Sequence, residues 1–156
     1  MFRKIILPCL FLFACTNASS ERVGDVDTVF QWLGPDHKIV VDAFDDPKVT
    51  GVVCYLSRAK TGGIKGGLGL AEDTADASVA CRAVGVISFK EKLKQTEEVF
   101  SQSSSILFKH VRVVRMVDVK RNALVYLVYS DKLVEGSPKN SVTAVPVPRE
   151  LLIPVK

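Results

Sequence analysis

Seven apolar residues run without interruption from Ala123 to Tyr129. A polar turn, Asp118-Val119-Lys120-Arg121-Asn122, separates them from a valine-rich run that ends at Val117. This pattern constrains the fold most. A run of that length is strand-sized and far short of a transmembrane helix. Two β-rich runs across a short polar turn predict a hairpin, over 106–117 and 123–130. The second strand is apolar on both faces, so we expect it to be central and covered on both sides. The first is less regular. Lys109, Arg112 and Arg115 recur every three residues, while Val111, Val113, Val114 and Val117 favour a strand, so a bulge is expected to restore the alternation.

Other short strands surround this hairpin. Val23, Val26 and Val29 punctuate the segment 21–33, which ends in the turn Gly34-Pro35-Asp36-His37. Residues 38–45 predict a strand with Ile39, Val41 and Ala43 on one face, stopped by Asp45-Asp46-Pro47. Residues 52–57 predict another, with Val52, Cys54 and Leu56 on one face. Residues 72–80 fit a short helix capped by Asp73 or Thr74, and 79–84 fit a strand carrying Cys81; both readings stay open. The charged segment 90–98 predicts an exposed connection. Pro138, Pro146, Pro148 and Pro154 predict an irregular C-terminal end or a poor edge strand. The sum is a single compact domain, mainly β with one or two short helices, and α+β as the alternative.

The N-terminus is an address. Arg3 and Lys4 precede an uncharged, mostly apolar run over 5–14, with polar residues after it. That is the layout of a secretory leader. Residues 1–18 read as the leader, cut after Ala18 or, at a lipobox-like Leu12-Phe13-Ala14-Cys15, before Cys15, which is then retained and carries the lipid. Membrane attachment is expected only through such a lipid. Loss of Arg3 and Lys4 lowers the formal charge from +4 to +2, which argues against nucleic acid as a partner. Of the four cysteines, Cys54 and Cys81 then remain. An even pair in an oxidising compartment predicts a disulfide, with free thiols or a redox or metal role as the alternatives.

Half of the ten glycines fall in 61–70. Glycine N–H groups with Lys60 and Lys65 can surround an anion, although neither phosphate-loop signature is present. Gly63-Ile64-Lys65-Gly66 matches the bare G-x-x-G of KH domains, which an exported, weakly basic chain does not support. Ser57-Arg58-Ala59-Lys60 and Lys60-Thr61-Gly62 imitate motifs of penicillin-binding enzymes, but one lysine would have to serve both. His37 and His110, the two histidines, do not assemble a ligand set, so no metal or cofactor is expected. Glu72 and Asp73 are candidates for a helix cap or for acid–base work.

Long motifs carry a resemblance. Gly34-Pro35-Asp36-His37-Lys38-Ile39-Val40-Val41, the stretch from Ser57 through Gly62-Gly63-Ile64-Lys65-Gly66-Gly67 to Thr74, and Lys120-Arg121-Asn122-Ala123-Leu124 resemble the CreA family of bacterial envelope proteins. So do Tyr129-Ser130-Asp131-Lys132 and the segment 134–140. The resemblance runs from about residue 23 to 147, and Cys54 and Cys81 fall where the family has its cysteines. It implies export and a periplasmic or envelope location, and it carries no catalytic residues over. The reading is a non-enzymatic accessory protein, a binding or stress-related module, with a small anionic ligand or an envelope protein as partner. Its candidate surface is His37, Arg58, Lys60, Lys65, Glu72, Asp73, Lys120, Arg121 and Asn122. The alternatives are a small carboxylate-using hydrolase or transferase, and a β module that pairs with an envelope protein.

Overall fold

Segments that alternate apolar and polar residues became strands. The computed structural model describes residues 19–63, 77–103, 110–131 and 139–156. In them lie β1 (Glu21–Val29), β2 (His37–Asp45), β3 (Val49–Lys60), β4 (Ala77–Phe89), β5 (Thr96–Ser103), β6 (His110–Asp118), β7 (Ala123–Ser130) and β8 (Asn140–Pro146). Successive strands pair antiparallel into two four-stranded sheets, β1-β2-β3-β4 and β5-β6-β7-β8. The long β4 runs alongside β7 and β8, so the sheets meet there. The fold is mainly β, as expected. None of the described elements is a helix. The start of the expected helix over 72–80 lies outside the described residues, and 77–80 belong to β4.

One apolar core lies between the sheets. Val52, Cys54 and Leu56 form the inward row of β3, as the alternation predicted. Leu124, Tyr126 and Val128 form that of β7. Phe44 of β2 stacks on Phe100 of β5 with ring centroids 4.3 Å apart, so the aromatic contact bridges the two sheets. In β2 the row Ile39, Val41 and Ala43 does share a face, and it is the outer one; Val40, Asp42 and Phe44 point inward.

The hairpin of β6 and β7 formed, in register from Val111 opposite Ser130 to Asp118 opposite Ala123. No bulge interrupts β6. Val111, Val113, Arg115 and Val117 are buried in strict alternation. The irregularity sits in β5, between Glu98 and Phe100. Arg115 takes a core position because Asp46 neutralises it there. The expected double covering of β7 is half met: Val125, Leu127 and Tyr129 on its other face remain only partly buried.

The core charges form one network. Nη1 of Arg115 donates to both carboxylate oxygens of Asp46, each at 2.7 Å, and Nη2 donates to Glu97 at 2.7 Å. The Tyr126 hydroxyl donates to Asp46 at 2.9 Å, and the Lys48 and Val49 amides donate to its Oδ1. Asp46 thus closes the turn after β2 and pins the second sheet to it. Burial, and next to it the Asp46 charge, push the Tyr126 phenol far above its usual range, so it stays a donor. Outward, Lys48 bridges Glu97 at 2.7 Å and Glu91 at 3.0 Å.

The segment before β5 is less exposed than its charge suggested. Leu93 is fully buried and bridges in parallel to Val155 of the C-terminal tail. Its amide donates to the Pro154 carbonyl at 2.7 Å. The prolines did confine β8 to a sheet edge, where it ends at Pro146. Gly51 is required where β3 meets an irregular stretch of β4. It has φ +79°, and a Cβ there would sit 2.5 Å from the Val86 carbonyl oxygen.

Candidate functional site

Three of the expected surface residues converge at one end of the first sheet. Lys38 lies opposite Lys60, and Val40 opposite Arg58. Arg58 continues the inward row of β3 beyond the apolar core and is buried. It donates through Nη2 to Asp42 of β2, and Arg22 of β1 donates through Nε to the other oxygen of Asp42 at 2.6 Å. Two guanidinium groups share one carboxylate, which leaves one positive charge in excess. The Arg58 Nε is buried and has no hydrogen-bond partner among the described residues. Next along β1 and β2, Lys38 pairs with Asp25 at 2.7 Å and approaches Asp27 at 3.9 Å. Lys60 is exposed and in no ion pair among the described residues.

Burial opposes ionisation of Asp42, but hydrogen bonds from Arg22 and Arg58 outweigh it and hold the carboxyl below its usual value of 3.8. A depressed folded-state pKa contributes stability that is present above about pH 4 and is lost as pH falls through the folded value. Acid unfolding is therefore expected to steepen below about pH 4. Asp42→Asn should lose stability at neutral pH and show a flatter decline below pH 4, which urea melts across the acid range will read.

His37 sits at the start of β2, where its ring fixes a neighbour. Its Nδ1 accepts from the Gly62 amide at 3.1 Å, which places the ring proton on Nε2. The Gly63 amide donates to the Pro35 carbonyl at 2.6 Å. Gly62 admits this approach because a Cβ would fall 2.1 Å from that same carbonyl oxygen. The turn 34–37 and the start of the glycine-rich segment are thus strapped together, beside Arg58 and Lys60. Lys65, Glu72 and Asp73 lie outside the described residues, as does Cys15.

The turn carrying Lys120, Arg121 and Asn122 is elsewhere. It follows the end of β6 that holds Arg115 against Asp46, near the start of β3. Arg58 and Lys60 lie at the far end of that twelve-residue strand, which spans about 36 Å in ideal geometry. Arg121 pairs within its own turn with Asp118 at 2.7 Å. Asn122 adopts φ 51°, the left-handed conformation asparagine tolerates. Its Nδ2 donates to the carbonyls of Val147, Pro148 and Leu151, and its Oδ1 accepts from Ile153. Its amide group docks the C-terminal tail. An asparagine closing a short polar turn, where the left-handed conformation is tolerated, was the available signal.

Cys54 and Cys81 face each other across β3 and β4 and form a disulfide, S–S 2.02 Å, both fully buried. Two other features escaped the sequence reading. One is the Asp46–Arg115–Tyr126 cluster. The other is a run of exposed side chains after β1: Phe30, Trp32 and Leu33, with Trp32 92% exposed. Their apolar character was visible, but their exposure is a tertiary outcome that residue identity does not give. Among the described residues, no His, Cys, Asp and Glu cluster suits a metal ion, and no helix is long and apolar enough to cross a membrane.

The sequence model of the family described as CreA protein matches residues 23–150. Protein CreA of Escherichia coli K12 is 57% identical over 150 residues, covering 94% of this chain and 96% of that protein. The same figures hold for Protein CreA of Escherichia coli O157:H7. No solved structure matches the chain. With the family model covering most of the chain and the relatives matching end to end, the chain belongs to the CreA family.

Proposed function

We propose that this CreA family member is an exported accessory protein of the bacterial envelope that binds a small anionic ligand at the Arg58 end of its first sheet. One observation carries the reading. Arg58 is buried at the end of the core, and its Nε–H lacks a partner among the described residues. An orphaned buried donor costs about 1–3 kcal/mol, so a ligand that gains access to it and supplies an acceptor would recover part of that. Asp42 holds Arg58 and Arg22 in place. Arg22 is half-exposed, Lys60 is exposed and in no ion pair among the described residues, and the glycine-rich segment begins next in the chain. A carboxylate or phosphate suits this set, because guanidinium presents a planar fork of donors to such groups. The leader at residues 1–18 supports export, and a buried disulfide is the usual product of an oxidising compartment.

The experiment has two arms. The intact mass of the protein isolated from its native envelope locates the cleavage site and shows whether Cys15 carries lipid. Calorimetric titration with inorganic phosphate and with a dicarboxylate then reads the site. Lys60→Ala is expected to weaken anion binding about tenfold, or ~1.4 kcal/mol. Arg58→Lys keeps the charge on Asp42 but removes the fork, and should weaken binding further with the fold intact. An uncleaved leader overturns the export reading. Absence of anion binding, or binding that both variants leave unchanged, overturns the ligand reading.

A further inference from the structure

We propose that His37 is a proton-operated latch: its neutral ring holds Gly62 and Gly63 against the turn 34–37, and protonation releases them. Two hydrogen bonds make the strap. The Gly62 amide donates to Nδ1 of His37 at 3.1 Å, and the Gly63 amide donates to the Pro35 carbonyl at 2.6 Å. The turn is braced separately, from the side of β1. The Gln31 amide donates to Oδ1 of Asp36 at 2.7 Å, and the Thr28 hydroxyl donates to the His37 carbonyl at 3.0 Å. The turn therefore keeps its shape while the strap opens or closes.

Only the neutral ring can close this strap. An imidazole has one acceptor nitrogen when neutral and none when protonated, so no rotation of a charged ring restores the bond. The added N–H would face the Gly62 N–H, donor against donor. Gly62 is buried, so water does not replace the lost acceptor while the strap stays shut. The two backbones leave no slack to absorb the change. A Cβ on Gly62 would sit 2.1 Å from the Pro35 oxygen and 2.4 Å from the Asp36 carbonyl carbon. Protonation and closure therefore exclude each other. Linkage favours the closed strap above the titration of the ring and the open strap below it.

The charged groups around the ring come from three strands and the turn. Asp36 and Lys38 flank it in the chain, and Asp27 of β1 and Lys60 of β3 lie opposite Lys38. Asp25 of β1 pairs with Lys38, and the bond between them lowers the Asp25 carboxyl and raises the Lys38 amine. Farther along β2 and β3, Arg22 and Arg58 outweigh burial and hold Asp42 below 3.8. These shifts all lead away from neutrality. Histidine is the side chain that ordinarily changes charge between pH 5 and 8. The chain has two, and the other, His110, opens β6 in the second sheet. A transition of the strap in that range therefore belongs to His37. The latch uses no ligand, so this inference stands whether or not an anion binds at Arg58.

NMR of the oxidised, isotope-labelled protein between about pH 5 and 8 tests it, above the range in which acid unfolding sets in. Imidazole nitrogen shifts read the tautomer and charge of His37, and amide hydrogen exchange reads the strap. At the upper end the His37 proton is expected on Nε2 and the Gly62 amide is expected to be protected. Below the ring's titration its protection factor should fall about tenfold per pH unit, while amides of the β2–β3 ladder hold theirs. His37→Asn keeps an acceptor near the Nδ1 position but cannot titrate, so Gly62 should stay protected throughout. His37→Leu has no acceptor, so Gly62 should exchange fast throughout, with the ladder amides showing that the fold is intact. His110→Gln should behave like the wild type. The proposal is overturned by a proton on Nδ1 at the upper end or by Gly62 protection that does not change with pH. It is equally overturned by an unchanged pH dependence in His37→Asn, by a protected Gly62 in His37→Leu, or by loss of the pH dependence in His110→Gln.

Discussion

Replacing Asp46 with alanine is expected to destabilise the protein by about 3–5 kcal/mol, the usual effect of breaking a buried ion pair from one side. The substitution strands Arg115, which is fully buried and whose Nε already lacks a partner among the described residues. It also removes the acceptor for Tyr126 and for the Lys48 and Val49 amides. Arg115→Met should cost less, because Asp46 keeps those three donors. The double variant Asp46→Ala/Arg115→Met should be clearly less unstable than the sum of the two. Urea unfolding of the four proteins gives the coupling energy directly. Strict additivity would show that Asp46 acts only through its turn and that the link between sheets carries no energy.

Replacing Cys54 and Cys81 together with alanine should remove about 3 kcal/mol, the chain-entropy value for a loop of this size. Their sequence separation is 27. For a domain near this length the loss corresponds to a fall in Tm on the order of 10 °C. Calorimetry of the oxidised protein and of the double variant measures it. Both sulfur-bearing residues are fully buried, so the native bridge should resist a reductant that opens it once the chain is unfolded. Rapid reduction of the folded protein would mean that β3 and β4 separate readily at this point.

Much of the architecture was legible because strand alternation is local. Val52, Cys54 and Leu56 could be assigned to one face from their spacing alone, and the structure buries all three. The hairpin of β6 and β7 was legible for the same reason, with polar residues marking the turn between two β-rich runs. Arg115 was not. Its identity argues for solvent, and its burial depends on a carboxylate 69 positions away in the chain. Leu93 was misjudged in the same way, because its charged neighbours hid that the C-terminal tail would fold over it.

The candidate site divides similarly. His37, Arg58 and Lys60 were singled out by motif, and sheet register brings them to one end of β2 and β3. Lys120, Arg121 and Asn122 were singled out by the same means, and register takes them to the other end. By itself the sequence determined the strand content, the cysteine pair and the family, since each rests on residue identity and short spacing. The tertiary structure alone decided which face of the first sheet was buried, which charges were neutralised and which apolar residues stayed exposed. Those outcomes depend on what packs against each strand, and the packing partners are distant in the chain.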